Sequence, residues 1–184
     1  MPAVPFDSKN LNINAGTLYY APLGSAKPTD LATAWDAAWK KVGGTKSGST
    51  FKYELKTTGL YIAEFLDRAL TITTERNIMI GFDAAEETLA TWKLAMNGGT
   101  VTTAVGGVVT IKPPLANAAP VKKMIGWESA DATVRLVVDQ AMQTETWEIK
   151  HDKSQYSSFP LMFIAEQIDE TTEPFTVILA AARG

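Results

Sequence analysis

Few residues that commonly perform chemistry are present in this chain. It contains no cysteine and one histidine, His151, among its 184 residues. Disulfides, thiolate metal sites and thiol nucleophiles are therefore excluded, and any histidine-based metal site or catalytic triad must use His151. Glu148 is near it in sequence, but residues three apart on a strand project to opposite faces. We interpret His151 as a strand-end or turn residue, and we expect no metal and no catalytic residue.

A glycine-rich segment from Gly43 to Thr50 includes the G-x4-G spacing of phosphate-binding loops. Ser49 occupies the position of the phosphate-binding lysine, and the following residues alternate like a strand, whereas a phosphate-binding loop opens a helix. The S-x-x-K pattern from Ser49 to Lys52 also requires a helix to place lysine beside serine. We therefore predict a flexible surface loop with no nucleotide and no other cofactor.

Composition fits a folded protein without a strongly charged partner surface. The net charge is −3, from 17 basic and 20 acidic residues, and 46% of the residues are hydrophobic. This balance argues against a basic face that neutralises phosphates. No run reaches 18 apolar residues and the N-terminus does not resemble a secretory signal, so we expect no membrane association. We expect an N-terminal arm at 1–16 and a single β-rich domain at 17–184.

The longest regular pattern is the alternation from Leu70 to Phe82. Every second residue from Leu70 lies on one side, and Thr71, Thr73, Glu75 and Asn77 lie on the other. Thirteen alternating residues exceed the usual strand length of about 5–6. The pattern predicts a strand in a barrel wall or a long hairpin, with its Leu/Ile side packed on the core of the same protein.

A helix is predicted directly after this strand, from Ala84 to Asn97. Asp83 and Glu86 form a capping-box pattern, and Gly98 follows at the C-terminal cap. One apolar stripe should dock this helix on a sheet; its residues are Ala85, Leu89, Trp92 and Met96.

The remaining segments predict a short helix and further strands. Asp30 is placed to cap a helix from Leu31 to Trp39, whose Trp35 and Trp39 would share one face and cover the sheet. The fold class is therefore mainly β with one flanking α-helix, either a barrel or a sandwich. The predicted strands are 17–21, 51–57, 101–112 (a hairpin interrupted at Gly106-Gly107), 122–128, 133–140, 144–150, 160–167 and 175–181, with 133–140 and 144–150 paired around a turn at 141–143.

The order of elements from Trp39 to Gly99 resembles the core of the major tail (tail-tube) proteins of bacteriophages with long, non-contractile tails. The resemblance is a shared pattern of elements. It rests on a glycine-containing loop after a tryptophan (Trp39 to Gly48), an alternating strand (Phe51 to Thr57), a hydrophobic-acidic segment (Ile62 to Asp67), a strand with Thr and Arg (Thr73 to Arg76) and a helix (Glu86 to Met96).

The resemblance implies a structural function. Subunits of this family form hexameric rings by pooling strands into an inner β-barrel, and the rings stack into a tube. The implied partners are other copies of the chain, the tape-measure protein and DNA passing without sequence specificity, and the tail-tip and tail-terminator proteins. The implied location is the virion tail, with synthesis and assembly in the cytoplasm of the host bacterium.

Two sets of residues follow from that expectation. We expect Thr71, Thr73, Glu75 and Asn77 to face the lumen, because a polar strand face suits a water-filled channel. We expect the loop with Gly44, Lys46 and Gly48 to make inter-subunit contacts. Acidic residues outnumber basic ones after Leu60, and a wall with few free cations would let phosphate slide.

Two other classes remain open from the sequence. One is a different β-rich assembly or binding module, such as a secretion-tube subunit, a virion decoration protein or a carbohydrate-binding β-sandwich. The other is an enzyme, although no catalytic motif occurs in the structural context that it requires.

Overall fold

Eight antiparallel strands form one large sheet, and two further strands form a separate hairpin. The structure, a computed structural model, describes residues 15–63, 67–149, 151 and 157–180. Its elements are β1 (Gly16–Ala21), β2 (Lys40–Lys41), β3 (Thr45–Leu60), β4 (Leu70–Ala84), α1 (Leu89–Ala95), β5 (Thr100–Thr103), β6 (Val109–Lys112), β7 (Lys123–Ser129), β8 (Val134–Gln143), β9 (Phe159–Ala165) and β10 (Phe175–Leu179).

The large sheet runs β2-β1-β7-β8-β9-β4-β3, with β10 also paired to β8. β7 pairs with one edge of β8, and two strands share the other edge, because its 134–138 part pairs with β10 and its 141–143 part pairs with β9. The path ends at β2 and β3, which do not pair with each other in the described part of the chain. Over the described residues the sheet is therefore open and does not close into a barrel, which was one of the two predicted forms of the fold.

The main core lies on one side of this curved sheet. Alternate residues of β1, β4, β7, β8 and β9 supply it, as expected for strands with one face turned inward. Its fully buried side chains include Leu18, Ile125, Phe159 and Phe163. The mainly β fold class with one helix is confirmed.

A second, smaller cluster covers the opposite side of β1, β7 and β8. Trp39 is buried there with Val137, and Trp35 packs against the same cluster. Both indole rings lie on Gly126, where an added Cβ would come within 2.5 Å of Trp35 and 3.0 Å of Trp39. The prediction that this tryptophan pair covers the sheet is confirmed, and a side chain at Gly126 would displace it.

The predicted helix from Leu31 to Trp39 is wrong. Asp30 does accept backbone N–H bonds, from Ala32 and Thr33 at 2.8 and 2.6 Å. The carbonyl oxygens of Asp30 and Thr33, however, both accept from Nη1 of Arg135 at 2.7 Å. The segment is a series of turns and bends, because a guanidinium on β8 takes acceptors that a helix would use internally.

Helix α1 is shorter than predicted and begins at a different cap. β4 continues to Ala84, so Asp83 is a strand residue, and Thr88 is the N-cap whose hydroxyl accepts from the Thr91 N–H at 3.1 Å. The helix ends where Asn97 adopts a φ of 50° and the Gly98 N–H donates to the Lys93 carbonyl. Asn97, and not the predicted Gly98, is therefore the left-handed residue of the C-terminal cap.

The docking stripe of α1 is only partly as predicted. Trp92 lies against the main core, with its ring centroid 4.9 Å from that of Phe159 and 5.6 Å from that of Trp147. The fully buried helix residues are Thr91, Leu94 and Ala95. Leu89 is 41% exposed. Leu89 is the first residue of α1 and lies outside this buried set.

The predicted strand at 144–150 and its hairpin with 133–140 are also wrong. β8 runs through the predicted turn to Gln143, and the described residues of the predicted strand, 144–149, form no strand. At the end of β8 a side chain bonds the backbone in place of a neighbouring strand, since the Asn97 amide donates to the Gln143 carbonyl and accepts from its N–H. Trp147 then donates to the Ala95 carbonyl at 3.0 Å, which brings this segment onto the end of α1.

Candidate assembly surface

The β3–β4 hairpin is the longest feature of the fold and projects beyond the rest of the sheet. β3 has 16 residues and β4 has 15, and the two are paired from Thr45↔Ala84 to Leu60↔Leu70. The predicted strand at 70–82 is confirmed, and the predicted strand at 51–57 is extended in both directions. β9 pairs with β4 only from Met79 to Ala84. Beyond that point the hairpin is a two-stranded ribbon.

This ribbon has two open edges within the described chain. β3 is the last strand of the sheet path, so its outer edge has no strand partner there. The other edge of β4 is unpaired over 70–78, about 30 Å at 3.3–3.4 Å per residue. Long open edges are templates for pairing with another chain, and natural proteins usually cover or shorten them.

One side of the ribbon carries charges that are paired within the chain. We call this side, with Lys52, Glu54, Lys56, Glu75 and Asn77, the charged face. Nζ of Lys52 lies 3.0 Å from Glu54, and Nζ of Lys56 lies 2.7 Å from Glu75. Asn77 donates to the second oxygen of Glu75 at 2.6 Å. The two lysines and two glutamates have a net charge of zero.

These contacts also shift the ionisation of the central pair. The hydrogen bond from Lys56, together with that from Asn77, lowers the pKa of Glu75 below its usual value. The same hydrogen bond and the charge of Glu75 raise the pKa of Lys56. Both residues therefore remain ionised and paired at neutral pH.

The opposite side of the ribbon packs on the body of the protein near its base. Ile78, Ile80 and Phe82 are buried, as predicted for the Leu/Ile side of this strand. The rings of Phe51 and Tyr53 lie 5.2 and 6.1 Å from that of Phe175 on β10. These contacts orient the charged face away from the core.

A β-bulge at Thr74 changes which side chains share a face. Lys56 pairs with Glu75 and Thr57 pairs with Thr73, so Thr74 has no opposite residue on β3. Directly opposite residues of an antiparallel pair project to the same face. The predicted single alternation from 70 to 82 is therefore interrupted. Of the four predicted lumen residues, Glu75 and Asn77 lie on the charged face, whereas Thr71 and Thr73 lie on the other local face.

The bulge also reverses the apolar side at the far end of the ribbon. Beyond it, Ile72 pairs with Thr58 and Leu70 with Leu60, on the continuation of the charged face. Leu70 and Ile72 are exposed. The prediction that they pack on the core of the same chain is wrong, because one extra residue inverts their side.

The predicted glycine-rich loop is mostly strand. β3 begins at Thr45, and a register shift between Thr45 and Ser49 accommodates extra residues, with Gly48 at a φ of 84°. The Gly44 N–H donates to Glu86 at 2.9 Å. Gly44, Lys46 and Gly48 thus belong to an irregular strand start beside the base of β4. Their role between subunits stays a prediction.

His151 is exposed and does not form part of a larger cluster of ligands. Its Nδ1 lies 2.9 Å from the Ser157 hydroxyl and 4.0 Å from a Glu87 carboxylate oxygen. In the described ranges, no group of three or more His, Cys, Asp or Glu residues is close enough to hold a metal ion. Among those residues there is also no helix long and apolar enough to cross a membrane.

Comparison with known families decides the class of this protein. A family model described as phage tail tube protein matches residues 7–183. The chain belongs to the phage tail tube protein family. A search of curated proteins finds no match.

Membership in the tail tube family makes the chain a structural protein and not an enzyme. The family implies self-assembly into a tube with other tail components and a location in the virion tail. The resemblance inferred from the order of elements is confirmed. One of its quoted parts, the hydrophobic-acidic segment from Ile62 to Asp67, lies outside the described residues at 64–66. The separately predicted N-terminal arm lies outside them at 1–14.

Sequence reasoning missed the open edges and the bulge. The sequence from Leu70 to Phe82 alternates without interruption, so nothing in the pattern marks Thr74 as an extra residue. The arm prediction also included Gly16, which instead begins β1 opposite Ser129.

Proposed function

We propose that this tail tube protein forms hexameric rings in which the β3–β4 ribbons of neighbouring copies join into one inner barrel. The outer edge of β3 in one copy would pair with the open 70–78 edge of β4 in the next copy. This head-to-tail contact uses two different edges, so it closes into a ring when the rotation per copy divides a full turn. The observation that carries the proposal is the pair of long unpaired edges on one amphipathic ribbon.

Rings would stack into a hollow tube whose lumen first holds the tape-measure protein and later conducts DNA. In this arrangement the charged face, with Glu75 and Asn77, lines the lumen, because the opposite side packs on the body. Its lysines are held by glutamates of the same chain. A wall of paired charges has no free cation with which to retain passing phosphate.

Thr71 and Thr73 can line the same lumen only if the ribbon changes its orientation at Thr74. Bulges bend a strand and increase its twist, so a change of orientation there is physically reasonable. The proposal therefore retains all four residues at the lumen, from two different local faces of the ribbon.

The irregular start of β3 is proposed to contact the next ring. Lys46→Glu tests this role, since it reverses one charge without removing strand residues. We expect an unchanged thermal midpoint for the unassembled protein and weaker stacking of rings. Normal tubes from this variant would exclude Lys46 from the ring contact.

The tail-tip and tail-terminator proteins would cap the two ends of the tube in the virion tail, with assembly in the host cytoplasm. The test of the proposed function is electron microscopy of the purified protein over a range of concentrations. Hollow tubes or six-fold rings are expected. Single copies at every concentration would contradict the proposal.

Thiol labelling tests the lumen assignment in the same tubes, since the chain has no other cysteine. Glu75→Cys should react with a bulky thiol reagent in the unassembled protein and be protected in intact tubes closed at both ends. Equal reaction rates in the two states would place Glu75 on the outside.

A further inference from the structure

The tip of the β3–β4 ribbon presents an apolar patch on the side that is charged nearer the base. Leu60 and Leu70 face each other across the ribbon, and Ile72 lies next to them on the same face. Tyr61 and Ile62 continue the chain from Leu60. All five side chains are exposed, from 43% for Ile72 to 66% for Tyr61. We call these five residues the tip patch.

The side reversal results from one residue. Without the bulge, regular alternation through Thr74 would place Leu70 and Ile72 on the side of Ile78 and Ile80, which faces the protein's own core. The bulge places Thr71 and Thr73 there and moves the two apolar side chains to the opposite side. Bulges change the direction in which the following side chains project. We therefore treat the reversal as a specific feature of the hairpin and not as a defect in its strand pairing.

The charge around the tip indicates what kind of surface covers the patch. None of its five members is charged. Lys56, farther along the same face, is paired with Glu75, and Arg68 lies on the other face. Its guanidinium lies against Gly59 and donates to the Thr71 hydroxyl at 3.3 Å. A nucleic acid would be held by cations on the contacting face, whereas a contiguous exposed apolar patch is typical of a protein contact.

We infer that the bulge at Thr74 turns the tip patch outward from its own subunit so that it docks on another copy of this chain. This inference rests on the proposed tube, and it assigns to the tip a contact distinct from the strand pairing along the ribbon. We assign the surface that covers the tip patch to another copy of the chain, because the family self-assembles into a tube. The tip also continues the ribbon whose edges are proposed to form that assembly.

The test compares one substitution on the two faces of the tip. Ile72→Asn and Leu70→Asn place a polar side chain in the patch, and Thr73→Asn and Thr71→Asn place the same side chain on the opposite face. All four positions lie in the same exposed part of β4, so the cost in strand propensity is matched. Circular dichroism and thermal unfolding of the unassembled proteins check that each variant folds.

The readout is the protein concentration at which tubes form. We expect the two patch variants to require about tenfold more protein or worse, which corresponds to about 1.4 kcal/mol lost from each copy's contact. The two control variants should stay within about threefold of the unsubstituted protein. Equal behaviour of Ile72→Asn and Thr73→Asn would overturn the inference.

Labelling supplies a second readout that does not depend on assembly strength. Ile72→Cys should be protected from a small thiol reagent in open-ended tubes, while Thr73→Cys, proposed to line the lumen, should react to completion with reagent that enters through the open ends. Free reaction at both positions would show that nothing covers the patch and would overturn the inference, although tubes had formed. Failure of the unsubstituted protein to form tubes would instead reject the proposed function, and the docking contact with it.

Discussion

At the scale of single residues, Glu75 determines the electrostatic character of the ribbon. It accepts from both Lys56 and Asn77, and it lies opposite Lys56 in the strand register. Exposed ion pairs of this kind add little to folding stability. Their effect is local, since they neutralise lysines that would otherwise attract a polyanion.

The first prediction removes this neutralisation. A variant carrying Glu54→Gln and Glu75→Gln should gain affinity for double-stranded DNA at low salt, because Lys52 and Lys56 become free. Two new phosphate contacts should steepen the dependence of log K on log salt by about 2. Fluorescence anisotropy of a labelled duplex measures both quantities. The matched control, Lys52→Gln with Lys56→Gln, should gain no affinity; an equal gain there would refute the explanation.

The second prediction concerns the helix and its support. Trp92→Ala should lower the free energy of unfolding by about 3 kcal/mol, because Trp92 packs on Phe159 and Trp147 within the core. Leu89→Ala, three residues earlier and 41% exposed, should cost only about 0.5 kcal/mol. Denaturant unfolding monitored by circular dichroism compares the two. Similar costs would mean that the helix docks along the stripe predicted from the sequence.

At the scale of elements, the buried guanidinium of Arg135 holds the turn segment 22–39 onto the sheet. Its side chain is 4% exposed, and it bonds Glu128 on β7 at 2.7 Å as well as two carbonyls of the turn segment. It also lies 5.4 Å from the ring of Trp35. The hydrogen bonds from Arg135 therefore hold this segment as turns, where the capping pattern at Asp30 predicted a helix.

The third prediction follows from this arrangement. Arg135→Ala should destabilise the fold by about 3–5 kcal/mol, because it leaves the Glu128 carboxylate largely buried without its cation. The turn segment should also become more susceptible to limited proteolysis than the β3–β4 ribbon. Lys52→Ala, which removes an exposed pair, is the control and should change stability by less than about 1 kcal/mol. A loss below about 1 kcal/mol for Arg135→Ala would show that other contacts hold the segment.

Elements were predictable where a local pattern alone determines them. The alternation at 70–82 and the Gly106-Gly107 turn between β5 and β6 are examples, since side-chain period and turn residues are readable along the chain. The 31–39 and 144–150 segments were not. Their conformations depend on Arg135 and Asn97, which are far away in sequence and whose hydrogen bonds leave no local signal. The bulge at Thr74 could not be predicted either, because it is defined by the pairing of two strands and not by the sequence of one.

At the scale of the whole molecule, the isolated chain is an incomplete sheet. Among the residues that the structure describes, the β3–β4 ribbon has two open edges and an apolar tip, features that a protein functioning as a monomer normally covers. Membership in the tail tube family explains why they remain. The order of elements was sufficient to infer the family, whereas the surfaces that we propose to join copies could be located only from the strand register.

Electron cryo-microscopy of tubes assembled from the purified chain would show how neighbouring copies join. We expect six copies per ring and a continuous inner barrel. In that barrel β3 of each copy pairs with the 70–78 edge of β4 in its neighbour, and Glu75 borders the lumen. A tube in which these two edges remain unpaired, or in which the β3–β4 ribbon lies on the outer surface, would contradict it.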